Sequence, residues 1–307
     1  MITRRTFLAV TACALATART FGAAATPATT QAAKMITRKI PRDGTELPVI
    51  GLGTWNALNP EPVNETTLAP RVEVLKIFFE SGARLIDTAP SYGTAEHVVG
   101  LLTTQLGINK DVFIATKVLE HNEADGISSM QQSLKRLNRD KIELMQVHSL
   151  NDTQRQMKTL RAWKEKGTFR YIGITHSVTR FQDELTQAHK QEKPDFVQVN
   201  YSLGEPDAAK NVLPAARDLG IAVLINRPFV AGQIFKKLEK KPLTDSMKPY
   251  AKTWAQVCLK WVIAHPDVTC ALPATGKPEH MRDNAAAGFG ELPDEKTRQQ
   301  WLKEFAA

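Results

Sequence analysis

Short apolar runs alternate along the chain with amphipathic stretches of helical period. The runs Arg84–Thr88, Val112–Lys117, Ile142–His148, Tyr171–Thr175, Phe196–Asn200, Ala222–Asn226 and Val268–Leu272 are mostly continuous in apolar residues. That pattern predicts parallel strands buried on both faces. Between them, residues 70–81, 94–106, 126–138, 153–166, 179–191, 207–219, 249–264 and 278–287 read as helices. Residues 39–46 and 47–55 predict a short hairpin, turning at Asp43-Gly44, whose continuation through Val49–Trp55 is the first of eight strands. Eight strand–helix units in about 250 residues match a closed (β/α)8 TIM barrel of the α/β class. The rival is a doubly wound open sheet, which in dinucleotide-binding proteins carries a Gly-x-Gly-x-x-Gly turn after its first strand. Here Gly51-Leu52-Gly53-Thr54-Trp55-Asn56 lacks the third glycine, and a Pro-containing loop follows instead of a helix. No composition break divides the body, so one barrel is expected over residues 36–307.

The 307 residues are 42% hydrophobic and 23% charged, which excludes a disordered, collagen-like or polytopic membrane chain. A net charge of +8 raises nucleic acid as a partner. Three of the basic residues, Arg4, Arg5 and Arg19, fall in a first segment of 25 residues without an acid, so the body carries only +5. The densest basic run, Lys236-Lys237-Leu238-Glu239-Lys240-Lys241, has no interleaved aromatics and reads as a solvated face able to attract a phosphate-bearing ligand. No nucleic-acid partner is expected.

The first segment explains itself as an address. Thr3-Arg4-Arg5-Thr6-Phe7-Leu8 precedes a small-residue apolar stretch and Ala23-Ala24-Ala25, the layout of a twin-arginine export signal over residues 1–25. It is too short and weakly hydrophobic for a transmembrane helix, so stable membrane insertion is not expected. The export machinery is the implied partner and the periplasm the implied location. Val10-Thr11-Ala12-Cys13 is a lipoprotein-like box lying unusually near the start. Residues 26–35 read as a linker. Met35-Ile36-Thr37-Arg38 repeats Met1-Ile2-Thr3-Arg4, so initiation at Met35 would give a cytoplasmic form. Beyond Cys13 only Cys258 and Cys270 remain, read as buried free thiols. The seven histidines lack metal-type spacing, and no metal site is expected.

In such barrels chemistry sits at the carboxyl ends of the strands. Those ends supply Trp55, Asp87, Lys117, His148, Thr175, His176, Gln198, Asn200, Asn226 and Arg227, with Tyr92 in the loop Ala89-Pro90-Ser91-Tyr92-Gly93. An acid, a phenol, an amine and an imidazole thus converge, a set able to donate a proton to a carbonyl oxygen. A nearby ammonium favours the phenolate, an aspartate holds the lysine charged, and a histidine can hydrogen-bond the substrate oxygen.

These residues and their surroundings resemble the aldo-keto reductases over about residues 36–290. Ile50–Trp55, then Leu85-Ile86-Asp87-Thr88-Ala89-Pro90-Ser91-Tyr92-Gly93 with Glu96 and Gly100, match the family's opening strand and its most specific signature. Phe113–Lys117 and Leu144–His148 match its lysine and histidine strands, and Ser133–Leu137 precedes the latter as in the family. The resemblance implies NAD(P)H-dependent reduction of an aldehyde or ketone. Tyr92 is then the proton donor, Lys117 and Asp87 lower its pKa, and His148 orients a small carbonyl substrate in an open pocket near Trp55. It also implies that Gln198 holds the nicotinamide carboxamide, with Thr175 and His176 where the family has a Ser-Asn pair.

Departures lie at the cofactor end. Asn226-Arg227-Pro228-Phe229 stands where the family shows Tyr-Ser-Pro-Leu, so Asn226 cannot stack on the nicotinamide, while Arg227 could meet the pyrophosphate. The segment Thr275-Gly276-Lys277-Pro278, with His280, Arg282 and Asn284, opens a helix whose free amides form an anion site. Ala274 and His280 replace the lysine and arginine that grip the 2′-phosphate in NADPH-selective members. Lys277 or Arg282 can take their place, so NADPH is favoured over NADH by a narrow margin. The scarcity of reduced cofactor outside the cytoplasm leaves a second class open: a non-turnover barrel that binds cofactor or senses redox state.

Overall fold

The computed structural model describes residues 34–306. The export-signal reading and Cys13 lie outside them. Strands β1 (Thr37–Lys39) and β2 (Glu46–Pro48) form an antiparallel hairpin. Eight parallel strands follow: β3 (Leu52–Gly53), β4 (Leu85–Asp87), β5 (Phe113–Val118), β6 (Ile142–His148), β7 (Phe169–His176), β8 (Phe196–Asn200), β9 (Ala222–Asn226) and β10 (Cys270–Ala271). Each pairs with its neighbour in sequence. The Gly51 and Gly53 amides donate to Ala271 and Pro273 (2.8 and 3.0 Å), and the Ala271 amide donates to Val49 (2.9 Å), so the first and last strands meet and the barrel closes.

Helices α1 (Glu65–Glu80), α2 (Ala95–Gln105), α3 (Glu123–Arg136), α4 (Thr153–Glu165), α5 (Gln182–Glu192) and α6 (Val212–Asp218) connect successive strands. Both α7 (Gln233–Leu238) and α8 (Trp254–Ile263) lie between β9 and β10, and α9 (Pro278–Ala286) and α10 (Glu295–Ala306) close the chain. Several elements differ from the pattern reading. The hairpin strands are three residues each, because the turn over residues 41–44 takes up more chain than expected. Helix α1 starts five residues early, since Asn64 and Thr67 form a reciprocal capping box and Pro70 is tolerated inside. Helices α7 and α10 were masked by a lysine run and by an apparent tail. The first hides Ile234 and Leu238 at i, i+4, and the second buries Arg298 and Trp301.

The strand period of two sorts every strand into an inner and an outer set. Leu85, Phe113, Leu144, Tyr171, Phe196, Leu224, Cys270 and Leu272 fill the barrel interior, joined by Ile40 and Leu47 of the hairpin region. The hairpin thereby plugs the amino-terminal mouth, where Asp43 Oδ2 accepts from Tyr171 Oη (2.6 Å) and Arg170 Nη2 (2.9 Å). Met35, assigned by sequence to the linker, is buried in the outer core instead. The two described cysteines are free and buried, and burial pushes the Cys258 thiol up to about 12. No helix among the described residues is long and apolar enough to cross a membrane.

Glu96 and Gly100 of the signature act in packing. Buried Glu96 accepts from Thr116 Oγ1 (2.7 Å) and pairs with Arg136 (3.2 Å), which ties α2 to β5 and α3. Gly100 lets the end of α3 approach so closely that an added Cβ would lie 2.2 Å from the Arg136 carbonyl oxygen. Backbone cannot yield there as a flexible side chain would. Gly100→Ala is therefore expected to destabilise by about 1–3 kcal/mol, the usual cost of overpacking. Urea unfolding checks this, and a stabilised variant, as helix propensity alone predicts, would contradict it.

Candidate active site

Two residues above the last apolar interior position of β4, β5, β6, β8 and β9, the inner set turns polar. Asp87 lies above Leu85, Lys117 above Ala115 and Phe113, Gln146 above Leu144, Gln198 above Phe196 and Asn226 above Leu224. These side chains meet at the carboxyl end of the barrel. A cavity of about 930 Å3 opens there, and its lining includes Trp55, Tyr92 and His148 as well as Thr275, His280 and Asn284. Trp55 is 51% exposed where it lines the cavity.

Lys117 is buried beneath this floor with every ammonium hydrogen accounted for. Its Nζ donates to Asp87 Oδ1 (2.9 Å), Asp87 Oδ2 (2.8 Å) and the Thr88 carbonyl (2.8 Å). Desolvation disfavours the charge most strongly, but the Asp87 carboxylate and the Tyr92 oxygen together outweigh it and raise the Lys117 pKa. The ammonium lies 5.0 Å from the centroid of the Tyr92 ring.

Burial raises the Tyr92 phenol above its ordinary 10; the Lys117 charge pulls it down, while Asp87 pushes it up. This corrects the expectation that both partners acidify the phenol. Asp87 opposes that effect directly and favours it only by keeping Lys117 charged. The Tyr92 and His148 rings meet edge to face, centroids 6.1 Å apart. Burial, with the charge on Lys117 next, pushes His148 down to about 3, so its imidazole is neutral at pH 7 and its protonated nitrogen can donate to an oxygen.

The cofactor-end residues divide. Thr175, Gln198, Asn226, Arg227, Thr275, His280 and Asn284 line the cavity. His176 does not, because Tyr171 and Thr175 face inward and the next residue on the strand must face outward. Its ring packs on Phe181 (4.3 Å), and its Nδ1 accepts from the Val178 amide (3.2 Å). Arg282 also falls outside. His280, Asp283 and Asn284 share one face of α9, and Arg282 on another face pairs with Glu73 of α1 (3.2 Å). Lys277 stands exposed at the α9 cap, away from the cavity wall. Counting two residues along β7 and three or four along α9 would have excluded His176 and Arg282.

Sequence reading passed over Asp283, which accepts from Thr253 Oγ1 (2.8 Å) and Gln256 Nε2 (2.7 Å) at the wall. It also passed over Glu205, whose Oε2 accepts from Asn200 Nδ2 (2.7 Å) and whose Oε1 lies 3.5 Å from Arg227 Nη2. Glu205 sits in a loop with no periodic signal. Arg227 occupies the left-handed region (φ 49°), with Val230 and Ala231 beyond it doing the same (φ 52° and 53°), so the wall after β9 is a strained turn. Two buried atoms on this wall lack a partner: Asn226 Oδ1 and Arg227 Nε. An acceptor and a cationic donor side by side suit a carboxamide and a phosphate, so the residues fit a nicotinamide dinucleotide. Among the described residues no cluster of His, Cys, Asp or Glu suits a metal ion.

The aldo/keto reductase family model matches residues 49–300. Methylglyoxal reductase YeaE of Escherichia coli is 31% identical over 251 residues, which cover 78% of this chain and 85% of that protein. Glyoxal reductase of Bacillus subtilis is 30% identical over 264 residues, covering 82% and 87%. Among solved structures, an aldo/keto reductase from Klebsiella pneumoniae in complex with NADP and acetate superposes with a TM-score of 0.73 at 25% identity, covering 85% of this chain and 93% of that one. A second from that organism, in complex with NADPH, shares the fold with a TM-score of 0.74 at 24% identity, covering 90% and 96%. The chain belongs to the aldo/keto reductase family and is an NAD(P)-dependent oxidoreductase.

Proposed function

We propose that the protein reduces a small aldehyde or ketone to the alcohol with NADPH, Tyr92 giving the proton. The observation that carries this is the fully bonded Lys117–Asp87 pair buried beneath Tyr92 at the cavity floor. NADPH, when bound, supplies the hydride. Gln198, Asn226 and Thr175 would hold its carboxamide, and Arg227 with Thr275 before α9 and His280 and Asn284 on α9 its phosphates and adenosine. NADH is compatible with the same wall, since Lys277 and Arg282 stand away from it.

The chain's own part is proton supply and electrostatics. Neutral His148 donates a hydrogen bond to the carbonyl oxygen and fixes it beside Tyr92. As negative charge grows on that oxygen, Tyr92 Oη transfers its proton, and the Lys117 ammonium stabilises the phenolate left behind. The names of the bacterial relatives make methylglyoxal and glyoxal the first substrates to try.

Residues 1–25 act as a twin-arginine export signal that delivers the folded protein to the periplasm, supported by Arg4-Arg5 and the small-residue stretch behind it. Sequencing the amino terminus of the mature protein tests this. A cleaved periplasmic chain fits, whereas a chain beginning at Met35 in the cytoplasm overturns it.

Tyr92→Phe is expected to lower methylglyoxal reduction by about 10²–10⁴-fold, the usual worth of a positioned general acid. Its dissociation constant for NADPH, read by fluorescence titration, should stay within about twofold of wild type. Undiminished turnover contradicts the role of Tyr92. Tight NADPH binding without turnover in the wild-type protein would instead mark a non-catalytic sensor. A second expectation concerns His148, whose proton is taken up near pH 6.5 in the unfolded chain but only near 3 in the folded one. The unfolded state thus binds more protons between these values, and this contribution to stability is lost as pH falls through the window. The NMR signal of His148 should keep its neutral-form shift down to pH 5, and a midpoint near 6.5 would refute the buried neutral imidazole.

A further inference from the structure

The cofactor wall and the proton-donor support share one side chain. Gln198 Nε2 lies 2.7 Å from Asp87 Oδ1, and Gln198 Oε1 lies 3.2 Å from Thr175 Oγ1 and 3.3 Å from Asn226 Nδ2. The chemistry of the partners fixes these orientations. A carboxylate only accepts, so the Gln198 nitrogen must face Asp87. Its oxygen then faces away and needs donors, which are the Thr175 hydroxyl and the Asn226 amide nitrogen. Asn226 is turned accordingly, which leaves its Oδ1 buried and without a partner. The order of donation therefore runs from Asn226 to Gln198 to Asp87, the carboxylate that also accepts twice from Lys117.

We propose that Asn226 is a positioning residue for the proton donor: by anchoring Gln198 Oε1 it keeps the Gln198 amide on Asp87, so that the carboxamide end of the cofactor wall and the Lys117–Asp87 pair behave as one hydrogen-bonded unit. This rests on the reductase reading above and deepens it. An aromatic side chain at position 226 has no amide to make this link, so the departure of Asn226 from the family pattern acquires a chemical sense.

The consequence has a definite sign. Gln198 draws off part of the negative charge that Asp87 presents to Tyr92. Losing that donor leaves the carboxylate less compensated, and Asp87 raises the phenol's pKa. The other groups around the pair are Lys117 on β5, Cys270 on β10, which also feels Asp87, and His148 on β6, which feels Lys117 and the outward-facing His176 on β7. His148 and Cys270 are neutral at pH 7, so the ammonium, the carboxylate and the donors on that carboxylate govern the phenol.

The test compares Asn226→Val with Asn226→Thr, side chains of nearly the same shape that differ in one hydroxyl donor. In the full-length protein with NADPH and methylglyoxal, the basic limb of the kcat profile should move to higher pH by about half a unit in Asn226→Val. Asn226→Thr should restore at least part of the wild-type position. The Gln198 side-chain amide signals in 15N NMR spectra should shift in Asn226→Val and return towards wild type in Asn226→Thr, while both variants melt within a few degrees of wild type. Coincident profiles and unmoved Gln198 signals in the two variants overturn the proposal even if Tyr92→Phe abolishes turnover. If the wild-type protein proves not to turn over, the reductase reading fails separately, and the Gln198 signals alone decide whether Asn226 anchors that amide.

Discussion

The site depends on one buried charge. An ammonium taken out of water is tolerated only when its hydrogens are all bonded and a counter-charge stands beside it. Lys117 meets both demands through the two oxygens of Asp87 and the Thr88 carbonyl. Those partners come from the adjoining strand, so the register of β4 on β5, Asp87 opposite Ala115, is also the register of the chemistry. A slip of one residue would turn Lys117 to the outer face and Asp87 away from it. The closed barrel, the hairpin plug and the α2–α3 packing through Glu96 and Gly100 all serve to hold that register.

The architecture was legible because the barrel strands are mostly continuous in apolar residues and end in polar ones. Asp87, Lys117 and His148 stand out as polar residues terminating apolar runs, and the structure does bring them and Tyr92 together. What the pattern missed has physical causes. Helix α10 is docked by Arg298, buried against Trp261 and donating to Tyr201 Oη (2.7 Å), so its inward face includes a charge that pattern reading assigns to solvent. Helix α7 is so short that two buried apolar residues, Ile234 and Leu238, carry its whole inward face.

The cofactor end was harder to read because its residues are fixed by turns and helix faces rather than by strand parity. The left-handed backbone at Arg227 re-aims that side chain, and no sequence period announces it. His176 and Arg282 show the opposite failing: both have suitable chemistry, and both are turned away by the geometry of the elements they sit on. Asn226 combines the two lessons. Its identity departs from the family pattern, yet strand parity points it inward, where it meets Gln198 and, through Gln198, Asp87.

In the proposed mechanism the Lys117–Asp87 pair supports proton donation from Tyr92 rather than the fold alone. Replacing one partner would strand the other as an uncompensated buried group, so the direct test is the neutral double variant Asp87→Asn with Lys117→Met. The expected result is a folded protein that binds NADPH within a few-fold of wild type. Its single-turnover oxidation of NADPH by methylglyoxal should be slower by about 10²-fold or more at pH 7. A folded double variant that still transfers hydride at a rate near wild type would contradict it.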